Sequence, residues 1–538
     1  MIEQMFDIGQ RESAKRPGPS GPNGGWPGVA IQCTIGSMTS SRHVRRRLGA
    51  FLTTIVIGLA LVPIAPATPA SAADPGIQPR AAVKSLLSHQ VYGYLPYWRL
   101  NSGTAGQLNY SLISTIAFFG LGIKATGDID TAWRGYTAYV SANAVAVTNA
   151  AHAKGVRVVP TFQLFDSGSL PKMTAFLGSQ AAQDKFIGQA LDLMARRSAD
   201  GANFDFEPMP ATMTPQYLAF LARFNTAMDA RFKGATLVNA TSAGAPSSLI
   251  TGLVPIVDQL FVMTYNYRWT GSTVTGAIAP LDHASRNVKI HIKRFLAYAP
   301  REKIIMGVPC YGYDWPVTST VPNATVRSDK TKYGAVVSVT YASARQFLAA
   351  HPDVIRNYDA LEGSGYYTYW DASHATYRQV YFEEERSAAA KYDYAIATGL
   401  AGIGIWTLGN DAGYPEMWKA LEVFYAPHHE VVVTGKLGSI SRLSGDVWAS
   451  LSYSIKNVGD VPEQGTIRWR AYNEDGRQMA KGRVGTTTVG VGKSRSATVK
   501  IKLGTGADLP AGTWTIQVFF VTSTLAFSSA PATFRQPF

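Results

Sequence analysis

Short apolar segments rich in Val, Ile and Phe alternate with longer helical patterns between about residues 88 and 425. This alternation predicts a parallel sheet whose strands are joined by crossover helices, as in 184–197 and 387–400. Eight strands are expected, at 91–95, 115–119, 157–162, 202–206, 236–240, 259–264, 303–309 and 402–408. The count predicts an α/β fold of the (β/α)8 TIM-barrel type. A doubly wound open sheet is the alternative, but no Gly-rich phosphate motif follows an early strand.

Polar and apolar side chains alternate along the fourth predicted strand, in the order Ala202, Asn203, Phe204, Asp205, Phe206 and Glu207. Alternate residues of a strand project from opposite faces, so Asp205 and Glu207 are expected side by side. Like charges held together raise the pKa of one carboxyl, which keeps a proton donor available near neutral pH. No Lys or Arg occurs between residues 197 and 223. The alternative is an exposed edge strand, or carboxylates paired with a distant Arg.

Distinctive side chains follow several other predicted strands at their carboxyl ends, where barrels of this type build their sites. They are Tyr94, Tyr97 and Trp98 after the first strand, Met263, Tyr265, Asn266 and Tyr267 at the sixth, Tyr311, Tyr313, Asp314 and Trp315 after the seventh, and Trp406 at the eighth. Aromatic rings around a carboxyl pair suit a sugar polymer, because the apolar faces of pyranose rings stack on them. For each ring taken singly, core packing is the alternative.

Residues 200–207 resemble the Asp-Gly-x-Asp-x-Asp-x-Glu signature of glycoside hydrolase family 18, the chitinase family, with Asn203 in place of the first of three aspartates. Residues 263–266 resemble the Met-x-Tyr-Asp segment of that family, with Asn266 replacing Asp. Residues 381–391 and 404–409 resemble its last segments, which include the floor residue Trp406. The Ser-x-Gly-Gly of the third strand is absent. With these departures the sequence resembles a divergent branch of the family, whose members act on bacterial cell walls and spore cortex.

The resemblance implies roles for individual residues. Glu207 would be the general acid and base, Asp205 would orient the acetamido group of the substrate, and the Tyr265 hydroxyl would bind its acetyl oxygen. Asn203 would support Asp205. Further substrate contacts are expected at Met263, Asn266, Trp406, Tyr97, Trp98 and Tyr311. A small α+β insertion is expected at about 316–370. The nine histidines lack ligand spacing, so no metal and no cofactor are expected.

The implied activity is cleavage of β-1,4 linkages in N-acetylglucosamine polymers, chitin or its oligosaccharides, by a substrate-assisted retaining mechanism. A peptidoglycan N-acetylglucosaminidase is one alternative. The other is a non-catalytic, chitinase-like sugar-binding protein. Such proteins usually lose the terminal acid of the motif, whereas Glu207 is retained here. A monomer that binds a carbohydrate polymer is expected.

Residues 38–72 have the order of a secretory signal peptide. Arginines at 42 and 45–47 precede an apolar run at 48–62, and Ala70-Ser71-Ala72 forms a cleavage site. A secreted, extracellular or wall-associated protein with no stable membrane insertion after cleavage is expected, and a retained signal anchor is the alternative. Residues 1–37 are either a disordered extension or a mis-assigned start.

The C-terminal residues 430–538 contain strand patterns alone, at 431–434, 447–456, 465–472, 496–503 and 513–522. They predict an immunoglobulin-like β-sandwich that serves either as a wall-binding module or as a spacer. The formal charge of the chain is +14, of which residues 1–72 contribute +4 and residues 430–538 contribute +6. This excess favours anionic wall polymers. Because no basic block is interleaved with aromatic residues, nucleic acid is not expected as a partner.

Overall fold

The computed structural model describes residues 74–536 except 75, 81–86, 88, 284, 426–428, 460, 506–508 and 524. The predicted extension at 1–37 and the predicted signal peptide at 38–72 therefore lie outside the described residues.

The first thirteen strands form a barrel and an inserted sheet. In chain order they are β1 (Gln90–Pro96), β2 (Thr115–Gly122), β3 (Arg157–Phe165), β4 (Gly201–Glu207), β5 (Thr236–Ser242), β6 (Gln259–Met263), β7 (Ile304–Pro309), β8 (Tyr311–Val317), β9 (Val337–Thr340), β10 (Asn357–Asp359), β11 (Ser364–Asp371), β12 (Thr376–Phe382) and β13 (Gly402–Trp406). Strands β1–β7 and β13 close in the order β1-β13-β7-β6-β5-β4-β3-β2, with every neighbouring pair parallel. The predicted TIM barrel is confirmed.

Helices connect the barrel strands and cover the sheet. They are α1 (Thr104–Gln107), α2 (Arg134–Tyr139), α3 (Ala142–Ala153), α4 (Pro171–Leu177), α5 (Gln180–Arg196), α6 (Thr214–Arg231), α7 (Ser247–Leu253), α8 (Val288–Leu296), α9 (Lys330–Tyr333), α10 (Tyr341–Ala350), α11 (Glu385–Thr398) and α12 (Glu416–Tyr425). Helix α5 begins four residues before the predicted start, because the Ser179 side chain accepts a hydrogen bond from the Ala182 N–H and caps the first turn. Helix α11 begins early for a similar reason, since Glu384 and Ser387 form a capping box.

The apolar half of β4 is locked between the sheet and helices α5 and α6. The Phe204 ring lies 4.8 Å from Phe224 of α6 and 6.1 Å from Phe186 of α5. The Phe206 ring lies 5.0 Å from Tyr217 of α6. Both strand residues are buried, so the opposite face of β4 is turned toward the inside of the barrel. Gly201 starts the strand with φ 154°, where a Cβ would lie 2.0 Å from the Thr236 carbonyl oxygen. Only glycine fits at this entry to the strand.

The insertion after β7 is a five-stranded sheet in the order β10-β11-β12-β8-β9, with α10 beside it. Its strands run from Tyr311 to Phe382, wider than the predicted range 316–370. A buried ion pair ties its middle strands together, because Arg378 Nε donates to Asp314 Oδ1 at 2.9 Å. Asp314 and the fully buried Trp315 are therefore core residues of the insertion and not sugar contacts, contrary to the sequence interpretation of that cluster.

The remaining strands form two antiparallel sheets. They are β14 (Val431–Leu443), β15 (Asp446–Asn457), β16 (Glu463–Tyr472), β17 (Gln478–Val489), β18 (Ser494–Thr505), β19 (Gly512–Val521), β20 (Ala526–Ser528) and β21 (Ala532–Gln536). One sheet has the order β14-β15-β18, and the other has the order β17-β16-β19-β20 with β21 also on β19. Inward residues such as Leu451, Ile455, Trp469, Trp514 and Phe520 form the shared core. The predicted sandwich is confirmed, and β17, β20 and β21 were missed.

No helix within the described ranges combines the length and apolar character needed to cross a bilayer.

A buried ion pair links the residue after β12 to helix α11, and it generates a stability prediction. Lys391 Nζ lies 2.8 Å from Glu383 Oε1, and both side chains are almost fully buried. Burial raises the pKa of Glu383, and Lys391 opposes that rise. We expect Lys391→Met to lower the free energy of unfolding by about 3–5 kcal/mol, because it leaves an uncompensated buried carboxyl.

Urea denaturation measures this loss against a matched control. Lys419→Met removes the same charge from an exposed site on α12, and we expect it to change the free energy by about 0.5 kcal/mol or less. The double variant Glu383→Gln/Lys391→Met should recover part of the loss. Equal effects of Lys391→Met and Lys419→Met would contradict the prediction.

Candidate active site

Two carboxyl groups project into the barrel from the end of β4. Asp205 is buried, whereas Glu207 ends the strand and is partly exposed. Burial raises the pKa of Asp205 well above its usual range, and repulsion from Glu207 adds to the rise. Burial also raises the pKa of Glu207, to about 7. Among the described residues, Asp205 Oδ1 and Glu207 Oε1 have no hydrogen-bond donor. The pair therefore retains a proton near neutral pH.

Asn203 lies below this pair on the same face of β4 and is fully buried. Its Nδ2 donates to the Tyr94 hydroxyl at 3.0 Å and to Thr161 Oγ1 at 3.1 Å. Both amide protons are thus directed to neutral hydroxyl groups, one on the neighbouring strand β3 and one on β1, which is not adjacent to β4 in the barrel. The side chain is fixed without bringing a further charge to the carboxyl pair.

Sequence reasoning missed the contribution of β3. In the parallel register of β3 and β4, Thr161 lies beside Asn203, Gln163 beside Asp205 and Phe165 beside Glu207. Gln163 is buried, and a Cβ on Gly120 of β2 would lie 2.1 Å from its Oε1. Glycine at 120 therefore makes room for this amide. One sequence feature could have indicated these residues. The third strand lacks the Ser-x-Gly-Gly motif of the family, and Thr161 and Gln163 lie on that strand.

Tyr265 follows β6 and lies against the floor of the site. Its ring is nearly parallel to that of Trp406, with centroids 6.4 Å apart, and meets the Tyr311 ring edge-on at 6.4 Å. Burial raises its pKa, and the charges of Asp205 and Glu207 add to the rise. The phenol is therefore protonated at all ordinary pH values and is a hydrogen-bond donor beside the carboxyl pair.

A continuous set of rings extends from the floor to the rim after β1. The Trp406 ring lies 4.9 Å from Phe119, which lies 5.9 Å from Trp98. Trp98 and Tyr97 meet edge-on at 4.9 Å in the turn that follows β1. The Tyr97 ring is 6.0 Å from Trp133, a partly exposed residue that the sequence reading did not include. Tyr97, Trp98 and Trp133 are partly exposed, whereas Phe119 and Trp406 are buried, so the set leads from the interior of this end of the barrel to its surface.

Asn266 joins the barrel to the insertion. It adopts φ 63°, a left-handed conformation that Asn tolerates better than most residues. Its Oδ1 accepts a hydrogen bond from the Tyr313 hydroxyl at 2.7 Å and a longer one from Tyr311 at 3.5 Å. Met263 is the last residue of β6, in register with Ser242 of β5. The structure thus gathers the predicted site residues at one end of the barrel.

The arrangement can transfer protons to a ligand but offers little for a metal. Within the described part of the chain, no cluster of three or more His, Cys, Asp or Glu side chains has the grouping that a metal ion needs. The site instead combines a carboxyl pair that holds a proton, a phenol donor and apolar ring faces. These groups suit acid–base chemistry on a ligand with apolar faces and a polar reacting centre.

The chain is similar in sequence to known proteins. The model of the glycosyl hydrolases family 18 matches residues 94–411. The cortical fragment-lytic enzyme of Bacillus anthracis is 26% identical over 258 residues, which cover 46% of this chain and 55% of that enzyme. Di-N-acetylchitobiase of Homo sapiens is 27% identical over 302 residues, which cover 51% of this chain and 74% of that enzyme.

Solved structures share the fold. A GH18 chitinase from Cycas revoluta, in complex with (GlcNAc)4, has a TM-score of 0.53 and 16% identity, and it covers 62% of this chain and 99% of its own. The family match includes seven of the eight barrel strands in full, the insertion and the carboxyl pair. The chain belongs to the glycosyl hydrolases family 18 and is a glycosidase.

Proposed function

We propose that this glycosidase hydrolyses β-1,4 linkages of N-acetylglucosamine polymers, with the acetamido group of the substrate acting as the nucleophile. The observation that carries the proposal is the isolated carboxyl pair on β4, where burial raises the pKa of both Asp205 and Glu207. One group can then donate a proton while the other carries negative charge. Family 18 glycosidases are among those in which the substrate assists the reaction.

Glu207 is the proposed general acid and base. It is the outermost carboxyl of β4 and keeps some exposed surface, so it can reach the glycosidic oxygen of a bound polymer. A pKa of about 7 leaves it substantially protonated near neutral pH. It would protonate the leaving oxygen and, once ionised, would deprotonate the water that completes the reaction.

Asp205 and Tyr265 are the proposed partners of the acetamido group. The Asp205 carboxylate would accept a hydrogen bond from the acetamido N–H and stabilise the positive charge that develops on the oxazoline-like intermediate. The Tyr265 phenol remains protonated, so it would donate to the acetyl oxygen and hold it toward the anomeric carbon. Asn203 would keep Asp205 in position through its bonds to Tyr94 and Thr161.

The remaining site residues are proposed to bind the sugar chain. Trp406 would form the floor under the reacting sugar, and Tyr97 and Trp98 would stack on neighbouring units along the groove. Tyr311, Asn266 and Met263 would line the opposite side, where the insertion meets the barrel. The rings linked from Trp406 to Tyr97 support a site for an extended ligand.

Two polymers are candidates for the natural substrate. The names of the relatives refer to cortical fragments in one case and to chitobiose in the other, which supports peptidoglycan and chitin respectively. Asn at 203 and 266 and the positive charge of the chain favour the wall-directed branch. We propose an exported, extracellular or wall-associated monomer, with a catalytic domain at 88–425 and an accessory domain at 430–538.

The first prediction about the active site concerns Glu207→Gln, which keeps the shape of the side chain but cannot donate the proton. We expect kcat to fall by about 10²–10⁴-fold or more on whichever polymer is cleaved. Released reducing ends are followed by mass spectrometry on chito-oligosaccharides and on purified peptidoglycan. Glu422→Gln, on the exposed side of α12, is the charge-matched control and should retain activity. Binding without cleavage by the wild type would identify a sugar-binding protein instead.

A second prediction concerns stability against pH. The pKa of Glu207 rises from 4.5 to about 7 in the fold, so the folded chain binds this proton more tightly than the unfolded chain. The contribution of this proton to the free energy of unfolding is fully present below pH 4.5 and is lost as the pH rises through 7. Glu207→Gln removes this dependence, so we expect the variant to gain about 1–3 kcal/mol relative to the wild type between pH 4.5 and 8.

Thermal denaturation of both proteins across this pH range measures that gain. The Glu422→Gln control should keep a constant difference from the wild type. A constant difference for Glu207→Gln as well would mean that the Glu207 carboxyl titrates alike in the folded and unfolded chains.

A third prediction concerns Asn203→Asp, which adds a third carboxyl to the same face of β4. The Tyr94 and Thr161 hydroxyls can rotate to donate to it, so we expect the fold to persist. The added negative charge raises the pKa of Asp205 further and should move the acidic limb of kcat/KM to higher pH by about one unit. The exposed Asn357→Asp is the control. A pH profile unchanged by Asn203→Asp would refute this interpretation.

A further inference from the structure

Four basic side chains form a compact group on the outer face of the second sandwich sheet. Arg468 and Arg470 lie on β16, and Lys481 and Arg483 lie on β17. The antiparallel register places Arg468 directly opposite Arg483 and Arg470 directly opposite Lys481. All four are exposed, while the residues that alternate with the two arginines on β16 belong to the core, namely Ile467, Trp469 and Ala471. We refer to these four residues as the basic quartet.

The basic quartet is unfavourable for the isolated domain. Like charges directly opposite each other in a sheet destabilise it, and here two such pairs are adjacent. Among the described residues no carboxylate forms an ion pair with any of the four. Arg470 lies over the Phe519 ring at 5.2 Å, and Arg483 donates to Thr486 Oγ1 at 2.6 Å. These neutral contacts hold the side chains on the face but leave their charge uncompensated.

The outer face of the other sheet distributes its charge differently. Lys436 lies opposite Ser452, Lys500 lies opposite Ser450, and Lys502 is paired with Asp446 at 2.7 Å. Lys456 lies opposite Val432 and Ser494. No two basic residues face each other there. The clustering on the second sheet is therefore not a simple result of the positive charge of the domain.

We propose that the basic quartet binds the phosphodiester groups of an anionic polyol-phosphate polymer of the cell wall. Neighbouring positions on a sheet are about 5 Å apart across strands and about 7 Å apart along a strand, so the quartet offers closely spaced cationic positions. Three of its members are Arg, whose planar guanidinium binds a phosphate through two parallel hydrogen bonds. The surface is an open sheet face, which an extended polymer can follow without entering a pocket.

The neighbouring residues favour this polymer over nucleic acid. Binding of single-stranded nucleic acid relies on aromatic faces on which bases stack. On this face two aromatic residues lie beside the quartet, Phe519, which Arg470 already covers, and Tyr472, which follows Arg470 on the outward side of β16. Two separate rings, one of them covered, do not form a row of faces for successive bases. The other neighbours in register, Thr466, Thr486 and Gln517, offer hydrogen bonds that suit phosphate and hydroxyl groups.

Equilibrium binding of the exported chain to purified glycerol-phosphate polymer tests the proposal. The variant R468Q/R470Q/K481Q/R483Q should weaken binding by about 10-fold or more, because it removes the charge-assisted contacts. The control K436Q/K456Q/K500Q/K502Q lowers the net charge by the same amount and should stay within about 3-fold of the wild type. Binding by the wild type should also fall more steeply with salt than binding by the quartet variant.

Several outcomes would overturn the proposal. Equal weakening by both variants would indicate non-specific attraction by net charge, and no weakening by either would place the contact elsewhere. Quartet-dependent binding that is as tight for single-stranded DNA as for the polymer would identify a nucleic-acid surface. Because the quartet variant loses like-charge repulsion, its Tm should not fall, so misfolding cannot imitate the expected loss. Its activity on soluble oligosaccharides should be unchanged, which separates this test from that of the proposed active site.

Discussion

The two-faced packing of β4 is the constraint on which the rest of the site depends. Phe204 and Phe206 are fixed between the sheet and two helices, so the strand cannot rotate or slip by one residue without burying carboxyls among phenylalanine rings. Asp205 and Glu207 are therefore held inside the barrel although neither forms an ion pair with any residue that the structure describes. The apolar core behind the strand supplies the free energy that keeps two like charges in place.

Neutral polar groups on β1, β3 and β4 lie next to the pair. Hydroxyl oxygens on β1 and β3 accept hydrogen bonds from the side-chain amide of Asn203, and Gln163 of β3 lies beside Asp205. An arginine at any of these places would lower the pKa of both carboxyls, because a nearby positive charge favours the ionised form. The neutral surroundings thus keep a proton on the carboxyl pair near neutral pH, and the pair lowers the stability of the fold. Active sites commonly combine these two properties.

The sequence predicted the eight barrel strands because strands buried on both faces read as short runs rich in Val, Ile and Phe. It predicted the sandwich because its strands alternate wherever one face is buried. It predicted the carboxyl pair because both residues lie on one strand. It missed Gln163 and Trp133, since their relevance arises from neighbours distant in the chain. Strand β17 was missed for another reason. Its outward residues are basic or Thr, and glycines such as Gly482 interrupt its inward face, where the Trp469 ring needs the space of a missing side chain.

The bond between Tyr313 and Asn266 has a consequence for how such enzymes can be rebuilt. The first strand of the insertion carries Tyr311 and Tyr313, and these side chains contact the loop that bears Tyr265. The insertion and the loop after β6 consequently have to be transferred together when one family member is rebuilt from another. A chimera that takes its insertion from a relative must take that loop with it, or the Tyr265 phenol loses the side chains that position it.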